Sequence, residues 1–200
     1  MAVPTTRLPP ITTVLLAGGQ GKRMGGDKGL QMLHGRALLA WVLDSVRSQS
    51  DEVLLSANDK HHAYAVFGCR IIADHVPDWA GPLAGLQAAL HSARNEWVMS
   101  VPCDTPYLPQ DLIARLHAAI ASDATEAAVA VVAGRRQPAI ALYRRDVQPK
   151  LDAWLQAGGR KVNDWLSSLS LSEVEFENAQ EFANINSQEE LARANELKIK

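Results

Sequence analysis

The chain has 200 residues, 47% of them hydrophobic and 21% charged, with a formal net charge of −2 at pH 7. Such a composition belongs to a soluble globular protein, most simply one domain that buries about 70% of its unfolded surface. The near-neutral charge excludes a nucleic-acid coat or a membrane-surface protein, whose partners demand a basic face, so any anion binding must be local.

Residues 1–10 hold three prolines and one arginine but no apolar segment, and read as a flexible leader rather than a signal peptide. Ile11, Val14, Leu15 and Leu16 form a short apolar run that reads as a buried strand. The strand opens into Leu15-Leu16-Ala17-Gly18-Gly19-Gln20-Gly21-Lys22-Arg23-Met24-Gly25-Gly26-Asp27-Lys28-Gly29, which holds six glycines interleaved with Lys22, Arg23 and Lys28. Glycine has no Cβ, so backbone N–H groups can turn inward onto an oxyanion while the basic side chains supply the opposite charge. A polyphosphate suits such a loop. It is not a P-loop, because Gly21-Lys22 is followed by Arg23 and Leu16 stands at the upstream glycine position. Nor is it the dinucleotide fingerprint, because Met24 occupies the third small position.

Residues 36–48 carry Leu38, Leu39, Trp41, Val42, Leu43 and Val46 in a helical pattern, predicting a helix whose stripe covers a sheet. Residues 52–57 supply a second strand, and strand, helix, strand at this spacing suggests a parallel crossover. Ligands of such sheets sit at the carboxyl ends of the strands, where the glycine loop also falls. A third strand over 69–73 ends at Asp74. Gly81, Pro82, Ala84 and Gly85 then start a helix, their small side chains suiting close approach to a ligand or to the sheet, with Leu83, Leu86 and Leu90 on one face. Residues 96–101 form a fourth strand that empties into Pro102-Cys103-Asp104-Thr105-Pro106.

Pro109 and Asp111 mark the start of another helix with Leu112, Ile113, Leu116 and Ile120 as its stripe. Buried strands are expected over 127–133 and 138–143. The first of these is the longest strongly apolar run, far short of the roughly 20 residues that cross a bilayer. A last helix starts at Ser187, which makes a Ser-x-x-Glu capping box with Glu190. Cys69 and Cys103, the two cysteines, give no metal spacing, suit a reducing cytosolic compartment and are expected as buried thiols. The six histidines show no metal pattern, and His61-His62 lies in a polar stretch.

Asp104 stands between prolines just beyond an apolar strand, where a carboxylate has no packing role and is costly to bury unpaired. A divalent cation would pair it, and magnesium takes one or two carboxylates plus substrate phosphates.

The order Leu-Ala-Gly-Gly, then Lys-Arg-Met-Gly, then Asp-Lys-Gly resembles the glycosyltransferase-A-like nucleotidyltransferases. Its Met-Gly-Gly-Asp-Lys-Gly ending is similar to that of the molybdenum cofactor guanylyltransferases, which attach GMP to molybdopterin. The resemblance runs from Val14 to about Leu191 and is thin over 147–182. It implies a Rossmann-like, three-layer α/β/α single domain over residues 11–200 with a mostly parallel central sheet. It further implies Mg²⁺-dependent transfer of GMP from GTP to molybdenum-molybdopterin, with pyrophosphate leaving and no protein nucleophile needed.

Carried onto this chain, the backbone of Leu16, Ala17 and Gly18 would meet the nucleotide, and Gly19 and Gly21 would hold its outer phosphates. Lys28 would neutralise the triphosphate, Arg23 the departing pyrophosphate, Asp74 would touch the nucleotide and Asp104 would hold the metal. Ser56-Ala57-Asn58 corresponds to the family's Asn-Ala-Asn. A serine cannot offer a donor and an acceptor together as an amide does, which leaves base selection through Ser56 open. Asn184 and Asn186, with Gln137, Arg160 and Lys161, are the candidates for the pterin side. Contacts with a molybdenum insertase, a chaperone or an apo-molybdoenzyme follow from the resemblance alone. A cytidylyltransferase for the same pterin, a sugar-phosphate nucleotidyltransferase and an idle nucleotide-binding fold share these motifs and stay open.

Overall fold

The computed structural model describes residues 8–18, 27–58, 61–74, 81–120 and 122–196. Gly19, Gly21 and Arg23 of the glycine loop lie outside the described residues, as does most of the expected leader; Leu8, near its end, packs against the core.

Seven strands form the main sheet. In chain order they are β1 (Ile11–Leu16), β4 (Glu52–Ser56), β5 (Arg70–Ile72), β6 (Trp97–Pro102), β7 (Ala127–Val132), β8 (Arg135–Arg144) and β9 (Leu171–Phe176), while β2 (Met32–Leu33) and β3 (Arg36–Ala37) make a separate small hairpin. The spatial order is β5-β4-β1-β6-β8-β7-β9. Every neighbouring pair is parallel except the two that β8 makes with β6 and β7. The mostly parallel sheet and the α/β class predicted from sequence are both present.

Side-chain alternation along the strands feeds two cores. Ile11 and Leu15 of β1, with Leu55, Met99 and Leu142, face α1 (Leu38–Arg47) and α4 (Leu112–Ala118) on one side, joined by Tyr64 of the short α2 (His61–Ala65). Val14, Leu54, Val98 and Tyr143 face α3 (Pro82–Ser92), α5 (Gln148–Gln156) and α6 (Val162–Ser167) on the other. Strands covered on both faces need continuous apolar runs, which explains why β1, β6 and β7 were readable at all. A last helix, α7 (Gln188–Glu196), packs Leu191 and Ala194 with Leu33 and Leu38 near the small hairpin. No helix among the described residues is long and apolar enough to cross a membrane.

The strand expected over 138–143 is longer, because the two-residue turn Ala133-Gly134 (φ 49° and 70°) folds it directly back on β7. Pro138, which has no N–H to give a ladder, sits where the pairing breaks: Val129 faces Ala141 but Val131 faces Arg136, so residues 137–140 bulge out of register. Between the resemblance's two firm ends the chain builds α5, α6 and β9. Cys103 is a buried free thiol as expected, whereas Cys69 is only half-buried, since it precedes β5 at the edge of the sheet.

Candidate functional site

Three parallel strands end together. Leu16 of β1 lies in register with Ser56 of β4 and with Pro102 of β6. The chains leave the sheet stitched to one another: Ala17 N–H donates to Ser56 O (3.0 Å), Ala57 N–H to Ile72 O (3.0 Å) and Cys103 N–H to Leu16 O (3.3 Å). Above them opens a cleft of about 470 Å³ whose lining includes Leu16, Gly18, Lys28, Ser56, Asp74 and Asp104. Of the residues that the sequence marks for the nucleotide, Leu16, Ala17, Gly18, Lys28, Ser56, Asp74 and Asp104 line this cleft at the carboxyl edge of the sheet, and Gly19 and Gly21 lie outside the described residues.

Helix α3 forms one wall. Its Gly85 passes so close to the sheet that a Cβ there would lie 2.6 Å from Ser56 Oγ and 2.8 Å from Leu16 Cδ2. The small residues at the helix start thus serve close packing of the wall, and Gly81, Pro82 and Gly85 also line the cleft. The opposite wall is completed by Ala139, which the β8 bulge brings to the cleft and whose carbonyl accepts from Ser100 Oγ at 3.0 Å.

Asp104 is the floor, 7% exposed. Its Oδ2 accepts from Lys28 Nζ at 3.0 Å, and the same ammonium donates to Asn186 Oδ1 at 2.7 Å. The loop carrying Asn184 and Asn186 is fastened here by Ile185 N–H to Asp104 O (2.9 Å) and by Thr105 Oγ1 to Asn184 Oδ1 (2.6 Å). Ser187 Oγ accepts from Glu190 N–H at 3.1 Å, and Glu190 reaches back to Asn186 N–H at 2.6 Å. The capping box therefore forms, shifted by one residue on its return arm, and it orders the asparagine that holds Lys28.

The other carboxylate oxygen, Asp104 Oδ1, is buried with no hydrogen-bond partner among the described residues. A desolvated anionic oxygen of that kind is costly unless a cation or donor meets it. No group of three or more His, Cys, Asp or Glu side chains able to hold a metal occurs among the described residues. One carboxylate with the remaining positions left to phosphates and water is the donor set of a magnesium site completed by its substrate, so Asp104 fits that ion.

Asp74 is gripped from β4. Ser56 Oγ donates to its Oδ1 (3.2 Å) and Asn58 Nδ2 to its Oδ2 (2.9 Å), while Asn58 Oδ1 accepts from Asp74 N–H (2.9 Å). Ser56 is 1% exposed, and its hydroxyl proton is spent on Asp74. Asn58, the last residue of Ser-Ala-Asn, uses both the donor and the acceptor of its amide on Asp74.

The pterin-side candidates divide. Asn184 and Asn186 meet Thr105 and Lys28 beside Asp104. Gln137 lies on β8 two residues before Ala139, with Nε2 donating to Arg135 O (3.3 Å). Arg160 gives its guanidinium to Leu155 O (2.9 Å) and Gly159 O (2.8 Å), and Lys161 stands exposed before α6; neither lines the cleft.

Two groups near the cleft carry no sequence forecast of a role. Tyr64, wholly buried, donates from its hydroxyl to Asp27 Oδ1 at 2.5 Å. Burial and then the hydrogen bond to Asp27 push its pKa far up. Burial, followed by the Asp104 charge, likewise pushes the Cys103 thiol up, so it is no nucleophile at neutral pH.

Residues 13–173 match the family described as the MobA-like NTP transferase domain. A molybdenum cofactor guanylyltransferase of Burkholderia ambifaria (strain MC40-6) is 47% identical over 194 residues, covering 92% of this chain and 95% of that protein. The crystal structure of molybdopterin-guanine dinucleotide biosynthesis protein A from Archaeoglobus fulgidus superposes with a TM-score of 0.72 at 23% identity, covering 92% of this chain and 97% of that one. A Mycobacterium tuberculosis H37Rv protein solved in complex with manganese superposes with a TM-score of 0.68 at 19% identity, covering 94% and 98%. At these identities the two structures show a shared fold.

Proposed function

Because the chain belongs to the MobA-like NTP transferase family, we propose that its cleft transfers GMP from GTP to molybdenum-carrying molybdopterin, forming the guanine dinucleotide form of the cofactor and releasing pyrophosphate. A terminal phosphate oxygen of the pterin attacks the α-phosphorus of GTP, the bond from that phosphorus to the bridging oxygen breaks, and the pyrophosphate departs with the electron pair. The acceptor is already an anion, so the protein has only to position and to neutralise charge. The observation that carries this reading is Asp104: a buried carboxylate at the strand ends, with one oxygen on Lys28 and the other without a partner among the described residues. The 47% identity to a guanylyltransferase supports guanine as the base.

Within this reading the backbone of Leu16, Ala17 and Gly18 lies against the nucleotide, and the glycine turn with Gly19 and Gly21 receives the outer phosphates. Lys28 shares its charge between Asp104 and the triphosphate, and Arg23 meets the leaving pyrophosphate. Asp104 is the residue that would hold Mg²⁺, which would draw charge from the phosphates; the manganese bound by the tuberculosis neighbour is of the same hard class. Asp74, held by Ser56 and Asn58, contacts the nucleoside. Asn184, Asn186 and Gln137 border the pterin side, with Arg160 and Lys161 further out along the chain. Contacts with an insertase, a chaperone or an acceptor apo-enzyme belong to the same reading, as does a cytoplasmic location, for which two unpaired cysteines are suited.

Calorimetric titration of the protein with GTP, CTP and ATP in the presence of Mg²⁺ tests the choice of nucleotide. Tighter binding of GTP is expected; tighter binding of CTP would move the chain to cytidylyl transfer, and absence of binding by all three would overturn a nucleotide site.

A further inference from the structure

Lys28 is a flexible side chain asked to deliver a point charge to one place, and its four-carbon stem does not fix that place. Something has to hold the backbone from which it starts. Asp27, Lys28 and Gly29 are consecutive; Asp27 bonds the Tyr64 hydroxyl, and Gly29 passes close enough that a side chain there would meet it. That hydroxyl donates to Asp27 Oδ1 at 2.5 Å. A Cβ at Gly29 would lie 3.2 Å from the same oxygen and 3.5 Å from Cys103 Sγ, so the turn is seated in a groove between α2 and the end of β6.

Asp27 also starts the single turn of 3₁₀ helix Lys28–Leu30, whose bonds run from Leu30 N–H to Asp27 O (3.2 Å) and from Gln31 N–H to Lys28 O (3.1 Å). The seat itself is packed: Tyr64 is 0% exposed, and the Phe67 ring tilts against it with centroids 6.2 Å apart. Burial keeps the phenol protonated well above neutral pH, so it remains a donor throughout the working range. On the far side, the Lys28 ammonium reaches Asp104 and Asn186.

We infer that Tyr64 is a positioning residue for the transfer reaction: its hydroxyl, acting through Asp27 and the close seat of Gly29, holds the turn that places the Lys28 ammonium between Asp104 and Asn186. The inference rests on the nucleotidyl-transfer reading of the cleft. It adds a contact partner 37 residues away in the chain from Asp27, on a helix that does not line the cleft.

The test is a double-mutant cycle of wild type, Tyr64→Phe, Lys28→Met and the double variant, read in guanylyl-transfer rate and in nucleotide affinity by calorimetry. Tyr64→Phe keeps the ring and loses only the hydroxyl. In the wild-type background it lowers turnover roughly tenfold, the scale of a sub-ångström misplacement, and in the Lys28→Met background it has no further effect. Asp27→Asn, which keeps an acceptor oxygen, retains more of the activity than Asp27→Ala, which loses at least as much as Tyr64→Phe. An equal loss in both backgrounds would assign Tyr64 to the fold alone, and a wild-type rate in Tyr64→Phe would remove it from the reaction; either result overturns the inference. If Tyr64→Phe does not fold, the same cycle run with Asp27→Ala decides. If the wild type transfers no GMP, the functional reading falls while the cycle in nucleotide affinity still decides for or against Tyr64; no affinity for any nucleotide overturns both.

Discussion

Asp104 accepts a lysine on one oxygen, and its other oxygen is buried without a hydrogen-bond partner among the described residues. An unsatisfied buried acceptor costs about 1–3 kcal/mol, a local loss of stability that the proposed metal role would account for. Two outcomes follow for its variants. Asp104→Ala should lower turnover by at least ~100-fold, the scale of losing one charge-stabilising group. Asp104→Asn should be nearly as inactive yet melt no lower than the wild type, as a thermal scan would show; a fall of more than about 4 °C, near 1 kcal/mol for a chain of this size, would mean that the carboxylate supports the fold. Gly85 makes the opposite case. Gly85→Ala places a methyl 2.6 Å from Ser56 Oγ, and overpacking of this sort costs about 1–3 kcal/mol, so denaturant midpoints should drop together with nucleotide affinity.

The elements behind the site are tied by polar clamps as well as by packing. Between α3 and α5, Asp152 accepts from Gln87 Nε2 (2.6 Å), His91 Nε2 (3.1 Å) and Gln148 Nε2. Burial alone would raise the Asp152 pKa; the hydrogen bonds from Gln87, His91 and Gln148 outweigh it and hold the carboxyl below its ordinary value of 3.8. A depressed carboxyl stabilises the fold above its unfolded pKa and loses that contribution as pH falls through the lower folded value. Wild type and Asp152→Asn should therefore differ in stability above about pH 4 and converge in stronger acid, which denaturant midpoints taken across pH would show; parallel curves throughout would exclude the clamp. At α7, Ser187→Ala removes the cap and should cost about 1 kcal/mol. It should also slow turnover, because Glu190 holds Asn186 and Asn186 holds Lys28.

The same elements show what a sequence discloses. β1, β6 and β7 are buried on both faces, so they appear as mainly apolar runs, interrupted only by the buried Thr12, Thr13 and Ser100. α5 and α6 each bury only one turn of side chains, Leu151 with Leu155 and Trp165 with Leu166, and β9 is an edge strand with Glu173 and Glu175 on its exposed side. Patterns that short do not rise above the surrounding polar sequence. In the site, Lys28, Asp104 and Asn186 were legible because glycines, prolines and a capping box surround them. Tyr64 was not, because a tyrosine in a helix reads as core, and its meeting with Asp27 is a product of the tertiary fold. Ser56 was legible as a departure from the family pattern; that its hydroxyl serves Asp74 could be seen only once β4 and β5 were paired.

A mostly parallel sheet with helices on both faces gathers residues 16–18, 28, 56–58, 74, 104 and 184–186 at one edge, drawn from the ends of β1 and β4, from the segments that follow β1, β4, β5 and β6 and from the loop before α7. Joining of GMP to a pterin phosphate at this edge is checked by incubating the protein with Mg²⁺, molybdenum-carrying molybdopterin and GTP labelled at the α-phosphate. The label should pass into a dinucleotide of GMP and the pterin, with one pyrophosphate released for each transfer, while α-labelled CTP and ATP give far less product. Label left in GTP, or a faster transfer from CTP, would contradict the account.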